Sequence, residues 1–143
     1  MKQVFLSTTT EFKEVDTLES GTWINLVNPS HHESVEIANA FHIDIADLRA
    51  PLDAEEMSRK TIEDEYTLII VDVPITEGRN NKTYYVTIPL GIIITEDAII
   101  TTCLEKLSLL DTFIHRRLRN FYTFMKSRFI FQILYYNAEV YLT

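Results

Sequence analysis

Tyr66 to Val73 reads Tyr-Thr-Leu-Ile-Ile-Val-Asp-Val, a nearly continuous apolar run that stops at Pro74. A strand of this kind sends apolar side chains to both faces, so it belongs in the centre of a sheet covered on both sides. Further on, Tyr84, Val86, Ile88, Leu90, Ile92 and Ile94 alternate along a longer strand and share one of its faces. Pro89 and Gly91 within that strand suggest a bulge or a sheet edge. The polar stretch from Glu77 to Lys82 predicts a hairpin connection between the two runs. Glu96-Asp97 predicts a tight turn, with Ile99 to Cys103 pairing back. After Cys103 the period changes. Leu110, Ile114, Leu118, Phe121 and Met125 fall at helical spacing, with His115, Arg116, Arg119 and Lys126 on other faces.

The first third of the chain carries the same mixture. Lys2 to Ser7 predicts a strand, Phe12 to Val15 a short second one, and Gly21 to Val27 a stronger third, rich in β-branched and aromatic residues. Asn28-Pro29 ends it. Ser30 followed by Glu33 fits a capping box, opening a helix that turns Val35, Ala38 and Phe41 inward and ends near His42. Asp44 caps a second, shorter helix over Ile45 to Leu48, which Pro51 should stop. Strands with helices between and after them predict a layered α/β domain with a mixed sheet.

Composition narrows the function. A chain of 143 residues is one domain with room for a proper core, and 46% hydrophobic with 24% charged residues is globular. A formal net charge of −8 argues against nucleic acid as the main partner, because phosphate binding needs a basic surface. The charge is also uneven. Asp44 to Glu65 holds eight acids against three bases, whereas Glu105 to Arg128 holds six bases against two acids. The two segments are expected to face each other, within a chain or between chains. Cys103 is the single cysteine, which rules out an internal disulfide, fits a reducing compartment, and reads as a small buried residue.

The last segment, from Ser127 onward, is a helix apolar on more than one side. Phe129, Ile133, Tyr136 and Val140 form one stripe, and Ile130, Leu134 and Tyr141 another. No Gly or Pro marks an end. The expectation is the soluble front part of a longer protein, with residues 1–126 as an α/β domain and 127–143 as the start of a long helix. Its apolar run falls well short of the ~20 residues a spanning helix needs.

The sequence carries few motifs of catalytic or binding chemistry. Three glycines cannot build a phosphate loop, and no G-x-S-x-G or H-E-x-x-H motif occurs. His31-His32 diverge by ~100° on a helix, so they make a poor metal pair. His42 and His115 stand alone and read as surface residues. Asp72 lies inside an apolar strand, where hydrogen bonds to backbone amides near the strand end would account for it. Asp44, Asp47 and Asp53 flank the short acidic helix and the turn after it. One or two such carboxylates can hold a hydrated Mg²⁺ weakly, against the blander reading of a solvated acidic face.

The order of these elements resembles the N-terminal domain of CorA-type magnesium transporters. The resemblance rests on Trp23-Ile24-Asn25-Leu26, the capped helix ending in Phe41-His42-Ile43, Asp47-Leu48 through Leu52-Asp53, and Arg59 before Glu65-Tyr66. It continues in Pro89 to Thr95 with the turn into Ile99-Ile100-Thr101, and in Gln132 to Tyr135 with Ala138-Glu139. It implies a three-layer αβα domain with a mixed central sheet, its C-terminal helices leading into a stalk. It also implies a homopentameric transporter of Mg²⁺, with Co²⁺ or Ni²⁺ as further cargo, and no enzyme. The domain would lie at the cytoplasmic face of the cell membrane, joined to it by a C-terminal part. Family members bind Mg²⁺ through carboxylates between neighbouring domains to hold the pore closed. Where the family has an acidic pair, this chain has Arg49 and Ala50, so Asp47 and Asp53 are the candidate metal residues. The alternatives are a soluble oligomerisation module or a small α/β enzyme of unknown substrate.

Overall fold

A computed structural model describes residues 1–115, 118 and 120–142, with the side chains of Arg79 and Leu142 outside the description. Arg116 and Arg119, expected on outer helix faces, therefore lie outside the described residues, as does Arg117. Strands β1 (Lys2–Ser7), β2 (Phe12–Glu14) and β3 (Thr22–Val27) come first, then helices α1 (His31–Phe41) and α2 (Ile45–Arg49). A single 3₁₀ turn over Ala50–Leu52 leads to β4 (Arg59–Ile62), β5 (Tyr66–Arg79), β6 (Lys82–Thr95) and β7 (Ala98–Cys103). Helices α3 (Ser108–Ile114) and α4 (Lys126–Leu142) complete the chain. The seven strands form one sheet in the order β2-β1-β3-β7-β6-β5-β4. β3 and β7 run parallel and their neighbours antiparallel, so the sheet is mixed as expected.

Alternation sorts the sheet into two cores. Ile24, Leu26, Leu68, Ile70, Ile93 and Ile100 face the layer of α1, α2 and the 3₁₀ turn, which adds Ile37, Phe41 and Leu48. Trp23, Leu90, Ile92, Ile99 and Cys103 face the layer of α3 and α4, which adds Phe113, Phe129 and Ile133. This is the three-layer αβα arrangement. The short helices of the acidic segment thus lie on one face of the sheet and α3 and α4 on the other, while Arg116, Arg117 and Arg119 of the basic segment lie outside the described residues.

Three local expectations need correction. β5 does not stop at Pro74 but runs on to Arg79. It is covered on both faces but is not central: it lies next to the edge strand β4, which pairs with it only between Thr67 and Ile70. Beyond that, β5 is itself an edge, where Pro costs no ladder bond. The hairpin is tight rather than a loop. Arg79 pairs with Lys82 across Asn80-Asn81, both at positive φ (50° and 63°), the two-residue turn whose twist suits flanking strands. Gly91 marks no bulge, because the β5–β6 register runs unbroken through Ile70↔Gly91. A Cβ at Gly91 would lie 2.3 Å from Pro51 Cγ, so the glycine admits the 3₁₀ turn against the sheet. Pro51 sits inside that turn, and α2 has ended at Arg49 before it, as expected.

The other side differs too. The helical spacing across Leu110 to Met125 does not give one helix: α3 ends at Ile114, and Asn120 adopts a positive φ of 59°. The connection is pinned to the sheet by reciprocal bonds, Ser7 N–H to Thr123 Oγ1 (2.8 Å) and Thr123 N–H to Ser7 Oγ (2.9 Å). Phe121 then enters an aromatic cluster with Trp23, Phe113 and Phe129, ring centroids 4.8–6.4 Å apart and mostly edge to face. On α4 the Phe129–Ile133 stripe is buried. Phe131, Leu134 and Tyr135 point outward, Phe131 at 69% exposure. The helix is apolar on two sides, and the described residues bury one of them.

Candidate functional site

The acidic helix α2 is held by its neighbours rather than by its own length. Asp44 Oδ1 accepts from Ala46 N–H (2.9 Å), the cap expected from sequence. Before it, α1 carries the full capping box: Ser30 Oγ accepts from Glu33 N–H, and Glu33 Oε1 accepts from Ser30 N–H at 2.9 Å. That last bond, first among its causes, holds the Glu33 carboxyl below its usual range. His42 ends α1 in the left-handed region (φ 56°), an exposed helix cap. His31, His32 and His115 are likewise exposed. Inward, Ile37 and Ser34 are buried where Val35 was expected, Val35 lying half-exposed at the margin.

Arg49 and Ala50 occupy the positions where the acidic pair was sought. Arg49 Nη1 donates to Ser34 Oγ (2.6 Å) and to Pro29 O (3.3 Å), tying α2 to the start of α1. Its guanidinium does the work of a strut. Asp47 is half-buried, and its Oδ2 accepts from Tyr66 O–H at 2.5 Å. Burial first, and then this bond, pushes the Tyr66 phenol up to about 12. Asp53 is exposed and its Oδ1 accepts from Glu55 N–H (2.9 Å), closing a turn. Each aspartate thus commits one carboxylate oxygen to the fold. Among the described residues, no three His, Cys, Asp or Glu side chains converge to cage a metal. Asp47 and Asp53 are carboxylates anchored by these two hydrogen bonds.

Tyr66 was missed in sequence as the partner of Asp47. Its parity with Leu68 and Ile70, all turned toward the α1–α2 layer, was the available signal. Cys103 is buried as expected, and burial pushes its thiol up to about 12. Asp72 is half-buried rather than enclosed. Its main-chain carbonyl, not its carboxylate, collects partners: Asn137 Nδ2 at 3.0 Å and Tyr141 O–H at 2.8 Å. A cleft of about 920 Å³ opens between the outer β5–β6 hairpin and the ends of α3 and α4, lined by Val73, Ile75, Tyr85, Lys106, Leu107 and Val140 among others. Among the described residues, no helix is long and apolar enough to cross a membrane.

The fold has solved counterparts. The complete structure of the CorA magnesium transporter from Methanocaldococcus jannaschii aligns at TM-score 0.74 and 18% identity, covering 99% of this chain and 45% of that one. The soluble domain of CorA from the same organism aligns at TM-score 0.72 and 21% identity, covering 93% of this chain and 55% of that one. At such identities the likeness is one of fold, and the chain spans about half the length of either structure. No curated protein matches it in sequence. A family profile described as CorA-like Mg²⁺ transporter protein matches residues 19–141, most of the chain, and the chain belongs to that family.

Proposed function

We propose that this chain is the cytoplasmic regulatory part of a CorA-like transporter of Mg²⁺, with Co²⁺ or Ni²⁺ as further cargo. Residues 1–126 form the regulatory domain, and 127–143 begin a longer helix toward a membrane part. Copies assemble side by side, five in the family's arrangement. Divalent ions held between them by carboxylates including Asp47 and Asp53 keep the pore closed, and their loss releases it. The observation that carries this reading is the family match over residues 19–141. The placement of Asp47 and Asp53 supports it: a half-made site on an acidic surface is completed by a second copy. A single hydrated cation bridging two surfaces also lessens their mutual repulsion.

Native mass spectrometry and sedimentation with millimolar Mg²⁺ or with chelator test the proposal. Mg²⁺ should raise the oligomeric mass, and the Asp47→Asn/Asp53→Asn variant should need several-fold more Mg²⁺ for the same shift. An oligomer indifferent to both chelator and variant would replace it with a plain oligomerisation module.

A further inference from the structure

β6 outlasts its neighbour β7. The two pair from Ile94 back to Leu90, which stands opposite Cys103, and the Cys103 carbonyl then accepts from Asn28 N–H. From Pro89 to Lys82 the strand pairs with β5 alone, and among the described residues no strand covers its other edge. The turn decides which groups point there. In a two-residue hairpin the flanking pair, here Arg79 and Lys82, is hydrogen-bonded, and bonded pairs then alternate with unbonded ones. Thr83, Tyr85 and Thr87 fall on unbonded pairs, so their N–H and C=O groups face the open edge. All three residues are exposed, Tyr85 at 81%. The other edges of the sheet are short or guarded. β2 has three residues, β4 has four with Arg59 and Lys60 among them, and the outer edge of β5 carries Pro74. Between Lys82 and Pro89, β6 has neither a charge nor a proline.

We propose that this edge is a contact between two copies of the chain, β6 pairing antiparallel with β6 about Tyr85. The segment is its own complement. A two-fold axis at Tyr85 sets Tyr85 opposite Tyr85 and Thr83 opposite Thr87, the aromatic and threonine pairs that favour a ladder. Lys82 comes opposite Ile88, so no like charges meet. Each outward residue exchanges both main-chain bonds with its opposite number. The contact turns a two-stranded ribbon, marginal by itself in water, into the four strands β5-β6-β6-β5. It needs no ion and is independent of the ion-bridged assembly proposed above.

Sedimentation equilibrium of the whole chain in chelator, from micromolar to millimolar concentration, tests the contact apart from any ion. A monomer–dimer equilibrium is expected. In the dimer the amides of Thr83, Tyr85 and Thr87 should exchange more slowly, while those of Tyr84 and Val86, already bonded to β5, keep their rates. Tyr85→Lys sets two ammonium groups face to face and should weaken the dimer about tenfold. Mixing that variant with Tyr85→Glu should restore pairing. Ile62→Lys, a charge added to the β4 edge instead, should leave the dimer unchanged. A chain that stays monomeric throughout overturns the proposal. So does a dimer that Tyr85→Lys leaves intact, or one whose amide protection does not alternate along β6.

Discussion

The two faces of the sheet are held by different physics. The α3–α4 face is secured by bulk: Trp23, Phe113, Phe121 and Phe129 meet in one aromatic cluster, and Trp23 is fully buried with its Nε1–H on Thr101 Oγ1 (2.8 Å). The α1–α2 face has an aliphatic core of its own, but its short elements are placed by directional contacts. These are the capping box at Ser30, the Arg49–Ser34 strut, the Tyr66–Asp47 bond and the fit of Pro51 into Gly91. Bulk is insensitive to direction and costly to remove. Directional contacts are each worth less, yet they set where the carboxylates stand. The candidate site belongs to the face whose geometry is tuned rather than merely filled.

Mutation should expose this difference. Phe129→Ala, on the bulk face, should destabilise by about 3–5 kcal/mol in urea unfolding, enough to unfold a marginal domain. A loss below about 1 kcal/mol would mean that the aromatic cluster is not the main anchor of that layer. Gly91→Ala, on the tuned face, should cost about 1–3 kcal/mol by forcing the new Cβ against Pro51. Pairing it with Pro51→Ala should recover part of that cost in a double-mutant cycle, since the clash is with the ring. Full additivity would show that the two residues do not meet.

Smaller effects sharpen the comparison further. Ser30→Ala should cost about 1 kcal/mol, read from the urea midpoint at constant slope. The Glu33 carboxyl is held down in the fold, so its stabilising contribution is present above its ordinary value of 4.5 and fades as pH falls. Glu33→Gln should flatten that acid limb. Tyr66→Phe should cost about 0.5–1.5 kcal/mol at neutral pH. The folded phenol sits near 12 against 10.0, so its contribution is complete below pH 10 and lost as pH rises toward 12. The phenylalanine variant should lack that share of the alkaline loss, while the share from Cys103, raised from 9.0 to about 12, remains. An alkaline limb unchanged by Tyr66→Phe would break the link between Asp47 and β5.

Much of this was legible in residue order. The first strand, the capped helix after Asn28-Pro29, the cap at Asp44 and the turn at Glu96-Asp97 were all readable because each rests on neighbours a few positions apart. β4 was not. Arg59–Ile62 is short and polar, with Ile62 exposed, and it is a strand only because β5 offers an edge there. Asp47 and Asp53 were readable as carboxylates, but that Tyr66 grips one and a turn amide the other depends on elements folded from distant segments.

Residue order alone determined the local grammar: which stretches alternate, where helices are capped, that the chain is acidic, and that its last helix is apolar on two sides. Those properties come from side chains within a turn or two of each other, so no folding is needed to read them. Tertiary structure decided the rest. It put Pro74 at a tolerant edge, turned Gly91 into a socket for Pro51 and broke the helix after Ile114. It also set α1 and α2 on one face of the sheet and α3 and α4 on the other. Each of these follows from which strand lies beside which, a choice made by burying both faces of the sheet at once.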